Sequence, residues 1–151
     1  MERTGLKYGV LTAAGLILYF LAMKVMGLAH LVELRFLNGL IMGVGVSVAI
    51  WQFKKSVNGA INYLEGLGVG FITAGIASFL FAVFMVLYVT LLDKQFMQTL
   101  LSDHTIGSKI TLVPLLVVFG VIILEGVISG FMLAFIAMQF YKRADHTVLE
   151  A

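Results

Sequence analysis

The chain has 151 residues, 61% hydrophobic and only 12% charged, with a net charge of +2 and no cysteine. An ordinary soluble domain is roughly 45–50% apolar and about 25% charged, so a globule of this size cannot hide so much apolar surface and must face lipid. The charge is too small to suggest nucleic acid, and the lack of cysteine excludes disulfides, thiolate metal sites and thiol nucleophiles.

Four long stretches are free of charge or nearly so. No charge falls between Lys7 and Lys24, Arg35 and Lys54, or Glu65 and Asp93, and only Glu125 falls between Lys109 and Lys142. A helix needs roughly 20 mostly apolar residues to cross the hydrocarbon core. Four spans fit, at about 7–28, 34–53, 66–92 and 112–141, in one integral membrane domain over 1–151. Backbone polar groups in lipid must be satisfied internally, so each span is expected to be a helix. β-barrel strands would alternate apolar and polar residues, and these runs do not.

The first span follows Arg3 and Lys7 and carries Gly5, Gly9 and Ala13 four residues apart. A signal peptide cut near Gly27 and Ala29 is the weaker reading, because Lys24 interrupts the approach to that site. The second span carries Gly39, Gly43 and Ser47 at the same spacing and ends at Lys54 and Lys55. The third carries Gly66, Gly70 and Ala74. Its "GLGVG" at 66–70 lacks the Lys-Ser/Thr of a phosphate loop and has no preceding strand, which argues against nucleotide binding.

The loop at 93–111 contains "DKQFMQTLLSDHTIGSKI" (93–110), in which Phe96, Met97, Leu100 and Leu101 have helical spacing. A short interfacial helix is expected there. Asp103 and His104 are too few for a metal site, and no metal or cofactor is expected. The fourth span carries Gly126, Gly130 and Ala134, and Glu125 within "VIILEGVISG". Tyr8, Trp51, Phe53, Tyr63, Tyr88 and Tyr141 lie near span boundaries, where aromatic belts form.

On alternate sides of the membrane, Arg3, Lys7, Lys54, Lys55, Lys142 and Arg143 stand against Lys24, Arg35, Lys94 and Lys109. The positive-inside rule then puts both termini of a multi-pass protein in the cytoplasm.

The second and fourth spans can be overlaid. Asn38, Gly39, Gly43, Gln52, Phe53 and Lys55 match Glu125, Gly126, Gly130, Gln139, Phe140 and Lys142 at every spacing. "GVLTAAG" at 9–15 resembles "GFITAGI" at 70–76 more loosely. The expected architecture is an all-α, polytopic four-helix bundle, with two parallel helical hairpins as the reading that the overlay adds. Chance similarity of apolar helices is the alternative. Small residues four apart let helix backbones approach closely in lipid. Packing within one bundle is the plainer reading of Gly9, Ala13, Gly39, Gly43, Gly66, Gly70, Gly126 and Gly130. Homo-oligomerisation, or contact with other membrane proteins, is the sharper one.

Asn38 and Glu125 each lie 17 residues before a lysine, and Lys24 lies 17 after Lys7. At 1.5 Å per residue each sits about 25 Å from its basic end, so the three are expected in one polar layer. Lys24 shares a helical face with Ala13 and is expected to point inward. An isolated carboxylate in lipid is costly. Glu125 therefore has two cheap states, protonated and neutral, or ionised, paired with Lys24 and hydrogen-bonded by Asn38. The first suits proton-coupled transport and the second a structural pair.

"NGAINYLEGLGVGFITAGIAS" (58–78) and "LEGVISGFMLAFIAMQFYKR" (124–143) resemble the bacterial four-helix membrane proteins catalogued as domain-of-unknown-function family 4199. The shared features are an Asn-Gly-x-Ile start to the third span, a Gly-rich segment followed by Ile-Ala-Ser, a Leu-Glu in the fourth span, a Gly five residues beyond the Glu, and a basic end. Ile128 stands where that family often has proline, which puts in doubt any role of a kink. The resemblance implies a membrane fold and no particular activity.

Two functions remain. One is a non-enzymatic scaffold or subunit of a membrane assembly, supported by short loops and small-residue stripes. The other is a small proton- or ion-coupled transporter using Glu125. Small multidrug carriers also have four spans and one membrane glutamate, but in the first helix. An enzyme is not expected, since no nucleophile–base pair or metal cluster stands within a span.

Overall fold

The computed structural model describes residues 2–27, 35–58, 61–92 and 112–143. They form four α-helices: α1 (Glu2–Val25), α2 (Arg35–Ser56), α3 (Tyr63–Leu91) and α4 (Leu112–Arg143). Each contains a segment long and apolar enough to cross a membrane. No strand occurs among the described residues. The helix expected within 93–110, with Asp103 and His104, lies outside the described residues.

The helices reach slightly beyond the charge-free runs. α1 begins at Glu2 rather than near residue 7, and α3 at Tyr63 rather than 66. Charged residues are good helix formers, and a helix extends past the lipid boundary wherever its backbone bonds continue. α1 ends at Gly27, whose φ of 71° is the left-handed conformation that glycine accepts without strain. Its N–H bonds to the Lys24 carbonyl at 3.0 Å. α2 ends in the same way at Asn58, with φ 55°. Asparagine visits that region more readily than other side-chain-bearing residues.

The helices are held together by close backbone approach. α3 packs against all three others, and α1 has no substantial contact with α4 among the described residues. The α3–α4 seam runs in four-residue steps. A Cβ added at Gly126, Gly130, Gly70 or Gly66 would meet Ser78, Ala74, Ala134 or Met138 respectively. The seam is antiparallel, since residue numbers fall on α3 as they rise on α4. α1 and α3 run parallel: a Cβ on Gly5 would lie 2.7 Å from Ile72, and one on Gly9 2.8 Å from Ile76. In lipid there is no hydrophobic force between helices, so this dense contact supplies the association through dispersion.

α2 fills the remaining side. Its Met42, Val46, Ala49, Ile50 and Phe53 join Ala74, Ala77, Ala134 and Met138 in one buried core. α2 and α1 pack antiparallel, with Gly45 against Thr12 and Gly15 against Ile41. Carried through the overlay, the Gly130–Ala74 contact corresponds to Gly43 and Ala13. The register of the first hairpin is thus that of the second to within a residue. The face differs. Gly45, not Gly43, meets α1, and two residues along a helix is a turn of about 200°. The cause is packing: α2 must present Val46 and Ile50 to Gly70 of α3 as well as a surface to α1.

Two expected belt residues are core instead. Phe53 is 6% exposed and Tyr88 9%, because their faces turn toward neighbouring helices. Trp51 is exposed, as a belt residue should be.

Candidate functional site

α2 and α4 run parallel, and the overlaid pairs Asn38/Glu125 and Gly39/Gly126 all line one cavity of about 600 Å³. Ser78 of α3 and Ser129 of α4 add hydroxyls. Leu16, Met42, Phe81, Val121 and Ile122 make the rest of the wall largely apolar. Glu125 is the 14th residue of the 32-residue α4, and it is exposed where α4 borders the cavity.

Ser78 stands apart from three helical threonines. Thr12, Thr73 and Thr90 each donate to the carbonyl four residues earlier, at 2.7, 2.8 and 2.7 Å. Such back-bonding satisfies a hydroxyl within its own helix. Ser78 is 2% exposed, and its Oγ has no hydrogen-bond partner. It faces the bare backbone of Gly126, where a Cβ would overlap it. Asn38 Oδ1 is likewise buried with no hydrogen-bond partner. Unsatisfied buried polar groups are rare and costly, about 1–3 kcal/mol each. Two of them on the wall of one cavity, beside a carboxylate, form the polar focus of the described structure.

Lys24 lies elsewhere. It is exposed, and its Nζ sits over the Tyr88 ring, 5.4 Å from the centroid. It is not among the residues lining the cavity, although Ala13, on the same helical face, is buried. The reason is depth: α1 reaches the cavity at Leu16 and α3 at Ser78, whereas Lys24 lies eight residues beyond the first and Tyr88 ten beyond the second, about 12–15 Å along the bundle. Phe20 packs edge-on against Tyr88 at 5.2 Å and against Phe81 at 6.4 Å. Phe81 also lines the cavity, so the rings of Phe20, Phe81 and Tyr88 lie between the cavity and Lys24.

Of the small residues singled out in the sequence, Gly9, Gly66, Gly70, Gly126 and Gly130 sit at tight interhelical contacts, and Ala13 is buried. Gly43 approaches only the end of Leu133, at 3.3 Å, and Gly39 has no neighbour within 4 Å of a built Cβ. Both border hollows beside α2. Sequence reasoning missed Ser78 and Ser129. The available signal was the pairing of Ser78 with Gly126 across an antiparallel seam. No group of three or more His, Cys, Asp or Glu able to hold a metal occurs among the described residues.

Four helices long and apolar enough to cross a membrane define a multi-pass membrane protein of uncharacterised role. The chain belongs to the family described as Protein of unknown function (DUF4199), whose model matches residues 7–109. The match spans α1 to α3 and includes the 58–78 stretch, and it stops short of Glu125. No curated protein and no solved structure gives a significant match.

Proposed function

We propose that this protein is a small, non-enzymatic proton- or ion-coupled transporter that works through Glu125. The observation that supports the reading is the cavity itself. Its volume of about 600 Å³ lies within the range of roughly 300–1,000 Å³ common for ligand pockets. A carboxylate at membrane depth is a functional candidate by default. Where such a group borders a cavity, a proton and a cationic solute compete for it, and competition is the minimal requirement for exchange. The mostly apolar wall suits an organic cation with an apolar body. The basic ends of the helices support an inner-membrane location with both termini in the cytoplasm.

The test is reconstitution into vesicles with a pH-sensitive dye inside. Small organic cations, sodium and potassium are added outside, one at a time. At least one should drive proton efflux in the wild type, and Glu125→Gln should lower that rate by about tenfold or more while the variant remains folded. Equal proton movement in both proteins, with no dependence on any cation, would sink the transporter reading.

A scaffold or assembly subunit is the second reading. It is favoured by the Gly39–Gly43–Ser47 face of α2, which borders an open groove rather than α1.

A further inference from the structure

A second hollow, of about 810 Å³, runs along the outside of α2 and α4. Gly43 and Ser47 of α2 and Ala137 of α4 line it, with Leu133 and Ile136 alongside. The α2 residues that line it run from Gly39 to Trp51, a rise of about 18 Å. The hydrocarbon core is roughly 30 Å thick, so the groove has about the depth of one leaflet.

One end of the groove differs from the rest. Trp51 and Tyr141 line it there. Lys55 Nζ lies over the Trp51 ring at 3.6 Å from the centroid. Lys54 Nζ donates to the Tyr141 carbonyl at 3.1 Å, which fixes a second positive charge at the same place. No acidic residue lines the groove among the described residues.

We propose that this groove is a binding site for an anionic phospholipid. One acyl chain lies along the small residues of α2, and the phosphate sits at Lys54 and Lys55. Charge decides between this occupant and a second copy of the chain. In a parallel dimer across the groove, the self-complementary interface would bring the lysine ends of both copies together. An anionic headgroup is attracted to the same pair of lysines.

Trp51 is the only tryptophan in the chain, so its fluorescence reports on this groove alone. The protein is reconstituted into bilayers that mix phosphatidylglycerol and phosphatidylcholine, with one or the other brominated on its chains. Wild type should favour the anionic lipid at Trp51 by about fivefold or more, as expected for even one juxtamembrane lysine. Lys54→Gln with Lys55→Gln should bring that ratio to about one. Gly43→Leu, whose nearest neighbour is the flexible end of Leu133 at 3.3 Å, should fold normally and lose chain-dependent quenching. Equal quenching by the two lipids in the wild type would overturn the proposal, and so would selectivity that survives in the double lysine variant. Trp51 shielded from both lipids, together with a cross-linked dimer, would place a second copy in the groove and overturn it as well.

Discussion

Gly126 of α4 is pressed against Ser78 of α3 so closely that a single methyl group at 126 would occupy the place of the serine hydroxyl. Overpacking of this kind costs about 1–3 kcal/mol. Gly126→Ala should therefore lower stability by that amount in a detergent melt. Adding Ser78→Gly should recover most of the loss, because the next atom, Ser78 Cα, is 3.7 Å away. If the two substitutions simply add, the seam is not packed as described.

Ser78→Ala has the opposite expectation. The hydroxyl is buried without a hydrogen-bond partner, so its removal relieves a desolvation cost. Stability should be unchanged or rise by up to about 1 kcal/mol. Thr73→Val is the control. Thr73 Oγ1 donates to Val69 O at 2.8 Å and lies 3.4 Å from Gly5 O on α1. That variant should lose about 1 kcal/mol. A Ser78→Ala loss as large as the Thr73→Val loss would contradict the geometry.

The Lys24 ammonium over Tyr88 should register as an energetic coupling. A double-mutant cycle of Lys24→Met and Tyr88→Leu is expected to give about 0.5–1 kcal/mol, the range of an accessible cation–π contact. A coupling of zero would show that Lys24 owes its position to something other than the ring.

Glycines should divide sharply by surroundings. Gly5→Val and Gly9→Val push branched side chains into Ile72 and Ile76 and should each cost about 1–3 kcal/mol. Gly75→Ala and Gly120→Ala meet nothing within 4 Å and gain helix propensity, so stability should rise by up to about 1 kcal/mol. Melting curves of the four variants in one detergent would decide the matter.

The four helices were legible because charge is costly in lipid, and the charges therefore mark the boundaries. The parallel sense of α1 with α3 was legible for the same reason, through the even number of crossings in each hairpin. Helix rotation was not. Nothing in "NGLIMGVG" reveals that Gly45 rather than Gly43 meets α1, because that choice depends on three neighbours at once. Asn38 and Glu125 were found as an overlaid pair, and they line one cavity. Lys24 was grouped with them by a residue count from the basic ends and by the helical face it shares with Ala13. Counting from the basic ends gives a common depth only if those ends are level and the helices untilted, and the cavity meets α1 at Leu16, about 12 Å short of Lys24. Ser78 was passed over because an isolated serine in an apolar helix normally bonds to its own backbone.

The bond from Lys54 to the Tyr141 carbonyl ties α2 to α4 near their basic ends. A carbonyl in the last turn of a helix has no amide of its own helix to receive, so a lysine from another helix is a firm substitute. The polar cavity lies toward the opposite ends of the same two helices, at Asn38 and Glu125. The same two helices thus meet in a hydrogen-bonded clamp at their basic ends and border a cavity that holds a carboxylate further along.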